Sequence, residues 1–386
     1  MRSPIMSYNR LAVAVVVFIV VSVLIFSATS GLHGGKNVVE KIKESAKGTA
    51  NNICNNDRPV FGKPSISESF LRLYESIQHP IAASSYTDAY GKLFEVKGGA
   101  PWWTEPLRND VLILDIDTRL PDKKNELWNN GRMNWEAMQA EGSGGMVSAS
   151  FMNHFLYAQI HGYDYRFFNA HEMEGMYNTW IKPHVLFDLL HSYKFVVAID
   201  ADATVQHLEL PVEWLFNRWG ITPETSIAMP LDTRQVLNGD VHASEDSKGN
   251  LALNSGFIIA QALPNTFDLL TAWKECPTEK RYPGCANWKE NWSHEQRAFS
   301  EYIRYDFNPS GTNIVEIPCN DAMGYPGIVD HAWVKSNCTG QFLRHHTLDK
   351  AMTKRSTEVA ILQSLTDLVK KELLGKKDMY RIEEKA

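Results

Sequence analysis

The segment FVVAIDADATV places two aspartates, Asp200 and Asp202, directly after a run of apolar residues. Alternate residues of a strand project to the same side, so both carboxylates can enter the space beyond the strand's end. Ligands of open α/β sheets bind in that space. Because adjacent carboxylates repel each other, a divalent cation that prefers oxygen ligands, Mn²⁺ or Mg²⁺, stabilises such a pair. The pair predicts a metal site that holds a diphosphate; the alternative is one turn-capping and one solvent-facing aspartate.

A second pair, Asp115 and Asp117, follows the equally apolar run VLIL. Both pairs cannot form the same site. As the end of the first strand of a nucleotide-binding sheet, Asp115 is predicted to contact the base or ribose. The alternative is that both aspartates of this pair only form a turn.

The elements that position these carboxylates alternate between strand and helix patterns. Strands are predicted over residues 110–117, 163–168 and 195–199, and between them lie a helix that ends at Gly162 and a helix that opens at Pro183. This alternation predicts an α/β fold with a mostly parallel sheet flanked by helices. We place this domain at residues 106–350. A helical extension is predicted over 351–386, with a packing stripe formed by Ile361, Leu362, Leu365 and Leu368.

The N-terminal part reads as a membrane anchor and a stem. Residues 11–29 are apolar and uncharged, which predicts a transmembrane signal anchor behind a cytoplasmic tail at 1–10; a cleavable signal peptide is the alternative. Residues 30–105 are predicted as a stem, interrupted by a helix that begins at a capping box of Ser65 and Glu68. Glycosylation sequons at Asn291 and Asn337 favour a single-pass type II protein with a lumenal domain.

The cysteines and the charge narrow the compartment and the partners. Cys276 with Cys285, and Cys319 with Cys338, are spaced to close loops in an oxidising compartment, although buried free thiols are the alternative. Cys54 is left over, and a disulfide-linked dimer through it is a hypothesis. A net charge of −6 without long basic runs argues against nucleic acid as a partner.

Four segments between residues 147 and 346 resemble the GT-A glycosyltransferases, most closely family 34 of Golgi galactosyl-, mannosyl- and xylosyltransferases. They are NHFLYAQIHGYDY, WIKPHVLFDLLHSYKFVVAIDADATV, LNSGFIIA and WSHEQRAFSEYI. The resemblance implies a Rossmann-like GT-A domain in the Golgi membrane. It also implies that Asp200 and Asp202 bind the metal and the nucleotide sugar, and that Lys182 is a basic donor-binding residue rather than a solvated lysine.

The resemblance further implies donor-sugar contacts from Asn254, Ser255 and Gly256, where the small glycine lets substrate approach the backbone. An ordinary turn is the alternative there. Glu295 and Gln296 resemble the pair that faces the reacting sugar in retaining members. The alternative is a helix start in which Ser293 is the cap and Gln296 its partner.

A C-terminal histidine completes the family's metal site, and the segment LRHHTLDK supplies His345 and His346. His331 is a competitor for the same role. Asp232 and Asp240 are candidates for groups on the acceptor side, and Asp232 is also taken as a catalytic candidate.

The resulting prediction is metal-dependent transfer of a hexose or pentose, with retention of configuration, from UDP-galactose, UDP-xylose or GDP-mannose to a glycan acceptor. One alternative is a phosphohydrolase of the haloacid dehalogenase type, because DIDT and DADAT both follow apolar strands, although GDVHASED does not fit that family's downstream acidic pair. Another is a non-catalytic lumenal sugar-binding protein on the same fold.

Overall fold

A computed structural model describes residues 64–96, 98–139 and 143–384. The predicted tail, the predicted anchor and Cys54 lie outside these residues. Within the described part of the chain, no helix combines the length and apolar character needed to cross a bilayer.

The described strands and helices alternate through most of the chain. The strands are β1 (Ser85–Thr87), β2 (Leu93–Glu95), β3 (Val111–Asp117), β4 (Asp164–Asn169), β5 (Phe195–Ile199), β6 (Ala203–Val205), β7 (Ile227–Pro230), β8 (Phe257–Gln261), β9 (Ile314–Ile317) and β10 (Leu343–His345). The helices are α1 (Ile66–Tyr74), α2 (Ser143–His161), α3 (Lys182–Leu189), α4 (Val212–Trp219), α5 (Pro264–Glu275), α6 (His294–Ala298), α7 (Arg304–Asp306), α8 (Cys319–Ala322), α9 (Met352–Gly375) and α10 (Lys377–Tyr380). A π-helical turn, Phe299–Ile303, joins α6 to α7.

Among the described residues, six strands form one central sheet in the order β4-β3-β5-β8-β7-β9. β3 runs parallel to β4 and β5, and β7 runs parallel to β9, whereas β8 is antiparallel to both β5 and β7. The α/β prediction is therefore confirmed, but the sheet is mixed rather than nearly all parallel. Because β8 runs back along β5, it begins where β5 ends, and the turn before β8 lies beside Asp200.

The strands predicted over residues 110–117, 163–168 and 195–199 are confirmed as β3, β4 and β5, with bounds that agree within one residue. β3 and β5 are apolar along most of their length and buried, as expected for interior strands covered on both faces. α2 ends before Gly162, whose φ of +73° is the left-handed conformation that terminates helices. α3 carries Pro183 in its first turn, where the missing N–H of proline costs nothing.

The core extends upstream of the predicted domain start at residue 106. The capping box of Ser65 and Glu68 is present at α1. The predicted stem nevertheless packs on the domain from residue 64 onward, because large aromatic side chains near its end join the hydrophobic core: Tyr74, Tyr86, Phe94 and Trp103. The Trp103 indole also donates a hydrogen bond to the carbonyl of Ile221, at 2.7 Å.

The C-terminal helix α9 packs against α2 and β6, and of the predicted stripe Ile361 and Leu368 pack on the core. The buried residues of α9 are mostly small: Thr353, Ser356, Thr357, Ala360, Ser364 and Leu368. Leu362 and Leu365 of the predicted stripe are exposed. Small side chains permit a close approach of helix to helix, in which the Thr357 hydroxyl donates to the carbonyl of Ala149 at 3.1 Å.

Both predicted intramolecular disulfides are present. Cys276 bonds to Cys285, and Cys319 bonds to Cys338. The second one links α8 to the segment that leads into β10, so it lies in the part of the chain that carries His345.

Candidate active site

Asp200, Asp202 and His345 meet beyond the end of β5. One potential ligand atom from each residue lies within 4.8 Å of the others. The chain turns at Asp200 and enters β6, which pairs with β10 so that Ala203 lies opposite His345. The backbone N–H of His346 donates to the carbonyl of Asp202 at 2.8 Å, which extends this pairing to the site.

The imidazole of His345 lies against the backbone of Gly256. A Cβ atom at position 256 would fall 2.1 Å from Cε1 of His345. The ring of His345 therefore occupies the space that the sequence assigns to an approaching substrate. Gly256 is needed here to make room for a third potential ligand.

This group has the properties of a divalent cation site. Mn²⁺ accepts two carboxylates and one imidazole as ligands. Mg²⁺ prefers the carboxylate oxygens of the same group. The Nδ1 atom of His345 is buried and has no hydrogen-bond partner among the described residues. A buried polar atom without a partner is costly, and a bound ion or an ordered water satisfies it.

Asp202 and His345 form a buried ion pair. His345 Nε2 donates to Asp202 Oδ1 at 3.1 Å. Burial raises the pKa of the Asp202 carboxyl, but His345 and Lys350 outweigh burial and hold that pKa well below its usual range. Burial lowers the pKa of His345, and the carboxylates of Asp202, Asp200 and Asp232 more than reverse this, so its pKa is raised. Asp202 therefore stays ionised and available to a cation.

Two lysines neutralise the remaining carboxylate charge. Lys182 is buried, and its ammonium lies 2.8 Å from Asp200 Oδ1 and donates to the carbonyl of Ser255 at 2.9 Å. Burial lowers the pKa of Lys182, but Asp200 and Glu295 outweigh it, so the pKa is raised. Lys350, which the sequence reasoning missed, approaches Asp202 Oδ2 to 2.8 Å with an exposed side chain. The sequence feature that could have identified Lys350 is its position at the end of LRHHTLDK, the segment that supplies His345.

Glu295 lines the smaller pocket, but its carboxylate is buried and bonded to neighbouring residues. Its carboxylate accepts hydrogen bonds from the hydroxyls of Ser255, at 2.6 Å, and Thr179, and lies 3.8 Å from the Lys182 ammonium. Only 2% of Glu295 is exposed. These contacts engage both oxygens, so the geometry favours a residue that positions Lys182. The side chain of Ser293 makes no capping hydrogen bond, so the capped helix start is not formed.

Gln296 and Asp232 form the polar wall of the pocket. The Gln296 amide donates to Asp232 Oδ2 at 3.3 Å and accepts from the N–H of Ser255 at 3.2 Å. Asp232 also accepts from the Asn254 amide at 3.2 Å. Burial raises the pKa of Asp232 in spite of these hydrogen bonds. Asp240, the other acceptor-side candidate, is exposed and lines neither of the pockets described below.

The second aspartate pair, Asp115 and Asp117, divides between core and pocket. Asp115 is buried and accepts from His154 Nδ1 at 2.8 Å and from the Tyr165 hydroxyl at 2.5 Å. Asp117 lines a pocket instead, where Arg119 donates two hydrogen bonds to its carboxylate, at 2.8 and 2.6 Å. Asp117 and Arg119 thus line the pocket beside the metal-capable group, whereas Asp115, which was predicted to contact the base or ribose, does not.

The other histidine candidates lie outside the metal-capable group. The ring of His346 packs on Tyr325 with centroids 5.0 Å apart, and His331 Nε2 lies 3.1 Å from the Tyr325 hydroxyl. The predicted metal ligand His346 is therefore corrected. Next to the antiparallel pair of β10 and β6, consecutive residues point to opposite faces, so only one of two adjacent histidines can reach the aspartates.

Two pockets flank the metal-capable group. The larger has a volume of about 350 Å³ and the smaller about 190 Å³. They share Tyr177, Thr179, Lys182, Asp200, Asp202 and Lys350. The larger pocket adds Asp117 and Arg119, and the residues that the smaller pocket adds include Asp232, Asn254, Trp292, His294, Glu295, Gln296 and His345. A third pocket of about 420 Å³, lined mainly by aromatic and aliphatic side chains, shares no residue with them.

No protein-family model and no curated protein matches this chain. Among solved structures, the chain is similar to a glycosyltransferase involved in the glycosylation of the major capsid of PBCV-1. That match has a TM-score of 0.41 and 11% identity, and it covers 64% of this chain and 98% of that one. This chain is also similar to mouse xyloside xylosyltransferase 1 in its apo form. That match has a TM-score of 0.33 and 11% identity, and it covers 53% of this chain and 82% of that one. Structural similarity at this level does not establish a function. The function is therefore inferred from the geometry of the site.

Proposed function

We propose that this chain is a metal-dependent glycosyltransferase that transfers a sugar from a nucleotide diphosphate donor to a glycan acceptor. The observation that carries the proposal is the position of Asp200, Asp202 and His345 between two pockets that share these aspartates. A donor of this kind has three parts, a nucleoside, a diphosphate and a sugar. The site offers a separate place for each.

The cation of the proposal is Mn²⁺ or Mg²⁺, held by Asp200, Asp202 and His345. When bound, it supplies positive charge that stabilises the diphosphate as a leaving group. The buried, partnerless Nδ1 of His345 and the space left by Gly256 support the inclusion of the imidazole. His345 is the ligand that the proposal chooses among the three histidines.

The chain's own cations complete the diphosphate site. Lys350 is exposed and reaches Asp202 with a flexible side chain, so it can turn toward a phosphate oxygen. Arg119 lies in the larger pocket, on which we place the nucleoside. Lys182 is buried behind Asp200 and keeps that carboxylate oriented. A volume of about 350 Å³ is in the range of small-molecule sites.

The smaller pocket is proposed to hold the transferred sugar, with hydroxyl groups bonded to Asn254, Asp232 and Gln296. These are acceptors and donors in fixed mutual contact, which suits a ring with several hydroxyls. Retention of configuration, a UDP-galactose, UDP-xylose or GDP-mannose donor, and a Golgi membrane location with a lumenal domain are further parts of the proposal. They rest on the resemblance to family 34 in the sequence.

The test is a donor screen with Mn²⁺ that scores sugar hydrolysis and transfer for these three nucleotide sugars. We expect turnover by the wild-type chain, loss of turnover on chelation, and a decrease of at least about a hundredfold in Asp202→Asn. Asp240→Asn is the matched control, because Asp240 is exposed outside both pockets.

Undiminished turnover in Asp202→Asn, or equal turnover with a chelator, contradicts the proposal. Release of inorganic phosphate from phosphomonoester substrates, without turnover of any of the three nucleotide sugars, indicates the phosphohydrolase instead. Metal-dependent binding of donor with no product indicates the sugar-binding protein.

A further inference from the structure

An exposed tryptophan stands at the rim of the smaller pocket. Trp292 lines this pocket, and 62% of the residue is accessible to solvent. Other tryptophans are equally exposed, among them Trp102 at 63% and Trp333 at 60%, but neither lines the two pockets of the site. The placement of Trp292, and not its exposure alone, therefore distinguishes it.

Trp292 continues into a row of aromatic rings that leads to the metal-capable group. Its ring contacts His294 edge to face, with centroids 5.7 Å apart. His294 stacks face to face on Tyr177, with centroids 3.6 Å apart and ring planes 10° from parallel. Tyr177 is half exposed and is one of the residues that both pockets share. The aromatic row thus runs from the outer rim to the centre of the site.

The aromatic row carries no formal charge. Burial lowers the pKa of His294, so its imidazole is neutral near pH 7. The lining of the same pocket also includes the polar side chains of Asp232, Asn254 and Gln296. The pocket therefore combines aromatic and hydrogen-bonding residues.

A pyranose ring has the complementary shape. One face of such a ring exposes C–H bonds, which carry partial positive charge, and the face of an aromatic ring is negative. The edge of the same sugar carries hydroxyls, which need donors and acceptors. A flat apolar ligand would make no hydrogen bonds to the polar residues of the lining, and an ion would not use the aromatic rings.

We propose that the exposed face of Trp292, together with the half-exposed ring of Tyr177, is the surface on which a sugar ring of the glycan acceptor stacks, and that the buried His294 holds these two rings in place. This inference rests on the proposed transferase function for the word acceptor. Trp292 lines the smaller pocket and not the larger one, to which the nucleoside is assigned. The stacking surface predicts an acceptor that presents a pyranose face to the enzyme.

The experiment compares the full chain with Trp292→Ala, Trp292→Phe and Trp102→Ala on an oligosaccharide array, with Mn²⁺ and either UDP or GDP present. The protein is produced in a host without N-glycosylation, because Asn291 is exposed and adjoins Trp292. We expect Trp292→Ala to lose roughly tenfold in saccharide binding, Trp292→Phe to keep most of it, and Trp102→Ala to match the wild type.

The inference is overturned if the wild-type chain binds no saccharide, if Trp292→Ala binds as the wild type does, or if Trp102→Ala loses as much. Calorimetry of Mn²⁺-dependent UDP or GDP binding tests the proposed function separately. We expect the same nucleotide affinity in Trp292→Ala and the wild type. Absence of nucleotide binding in the wild type refutes the transferase, whereas the array still decides whether the aromatic row binds sugar.

Discussion

The ring of His345 lies so close to Gly256 that a methyl group at position 256 would fall 2.1 Å from its Cε1 atom. The two residues come from different strands, since Gly256 directly precedes β8 and His345 ends β10. Gly256 also accepts a hydrogen bond from the backbone N–H of Asp200, at 2.8 Å. Gly256 thus contacts two members of the metal-capable group, the backbone of Asp200 and the imidazole of His345.

The first prediction concerns this contact. Gly256→Ala displaces the imidazole of His345, because the overlap involves ring atoms that cannot move aside without leaving Asp202. We expect Mn²⁺ affinity to fall by about tenfold to a hundredfold with little change in the folded structure. Calorimetric Mn²⁺ titration measures it. Gly375→Ala is the control, since a Cβ there meets nothing within 4 Å; equal metal affinity in Gly256→Ala and the control would refute the assignment of His345.

The second prediction concerns Glu295. Glu295→Gln keeps the size of the side chain but removes a negative charge 3.8 Å from the Lys182 ammonium. If Glu295 positions Lys182, we expect kcat to fall by about tenfold to a hundredfold. A covalent nucleophile would cost more than about ten-thousandfold. Steady-state kinetics with the preferred donor decide between the roles, and a loss of the larger size would show that Glu295 acts directly on the sugar.

The third prediction concerns Lys350, which competes with a cation for Asp202. Removing its ammonium in Lys350→Ala frees Asp202 Oδ2, so Mn²⁺ alone should bind more tightly than to the wild type. Binding of UDP or GDP with Mn²⁺ should weaken by about tenfold, because a phosphate partner is lost. Calorimetry measures both. The exposed Lys370 supplies the control variant Lys370→Ala. Changes of the same sign in both titrations would contradict this role.

The fourth prediction concerns the pH dependence of stability. His161 is buried, and burial lowers its pKa to about 3 in the folded chain. Since this pKa lies below the unfolded value, the contribution of the neutral His161 to the free energy of unfolding is present above about pH 6.5. It is lost as the pH falls toward 3. At pH 5 the loss should be roughly 2 kcal/mol relative to pH 7.

His161→Gln isolates this contribution. Nε2 of His161 lies 2.8 Å from the carbonyl of Leu208, and a glutamine amide can donate there without titrating. Denaturant unfolding at pH 7 and pH 5 should therefore show a smaller decrease for His161→Gln than for the wild type. His191→Gln, at an exposed histidine, should decrease as the wild type does. Parallel decreases in all three proteins would rule out the buried imidazole as the cause.

Local patterns in the sequence were sufficient for several elements. The apolar runs of β3 and β5, the capping box at Ser65 and the stop at Gly162 depend on neighbours a few residues away, and the structure confirms each. The predicted stripe of α9 was correct only in part, since Ile361 and Leu368 pack on the core whereas Leu362 and Leu365 are exposed. Periodicity selects large apolar residues, whereas the close contact of α9 with α2 selects small ones.

The sequence by itself determined the strand that ends in Asp200 and Asp202, and through the family resemblance it supplied a short set of histidines for a third ligand; the two disulfide pairs were predicted with free thiols as the alternative, and the structure decided them. Only the tertiary structure decided that His345 reaches Asp202, 143 positions away, and that Gly256 makes room for it. It also placed Glu295 against Lys182 and Lys350 against Asp202. The physical reason is that such contacts follow from strand order and direction. The reversal of β8 along β5 leaves no periodic signal in the residues that it brings together.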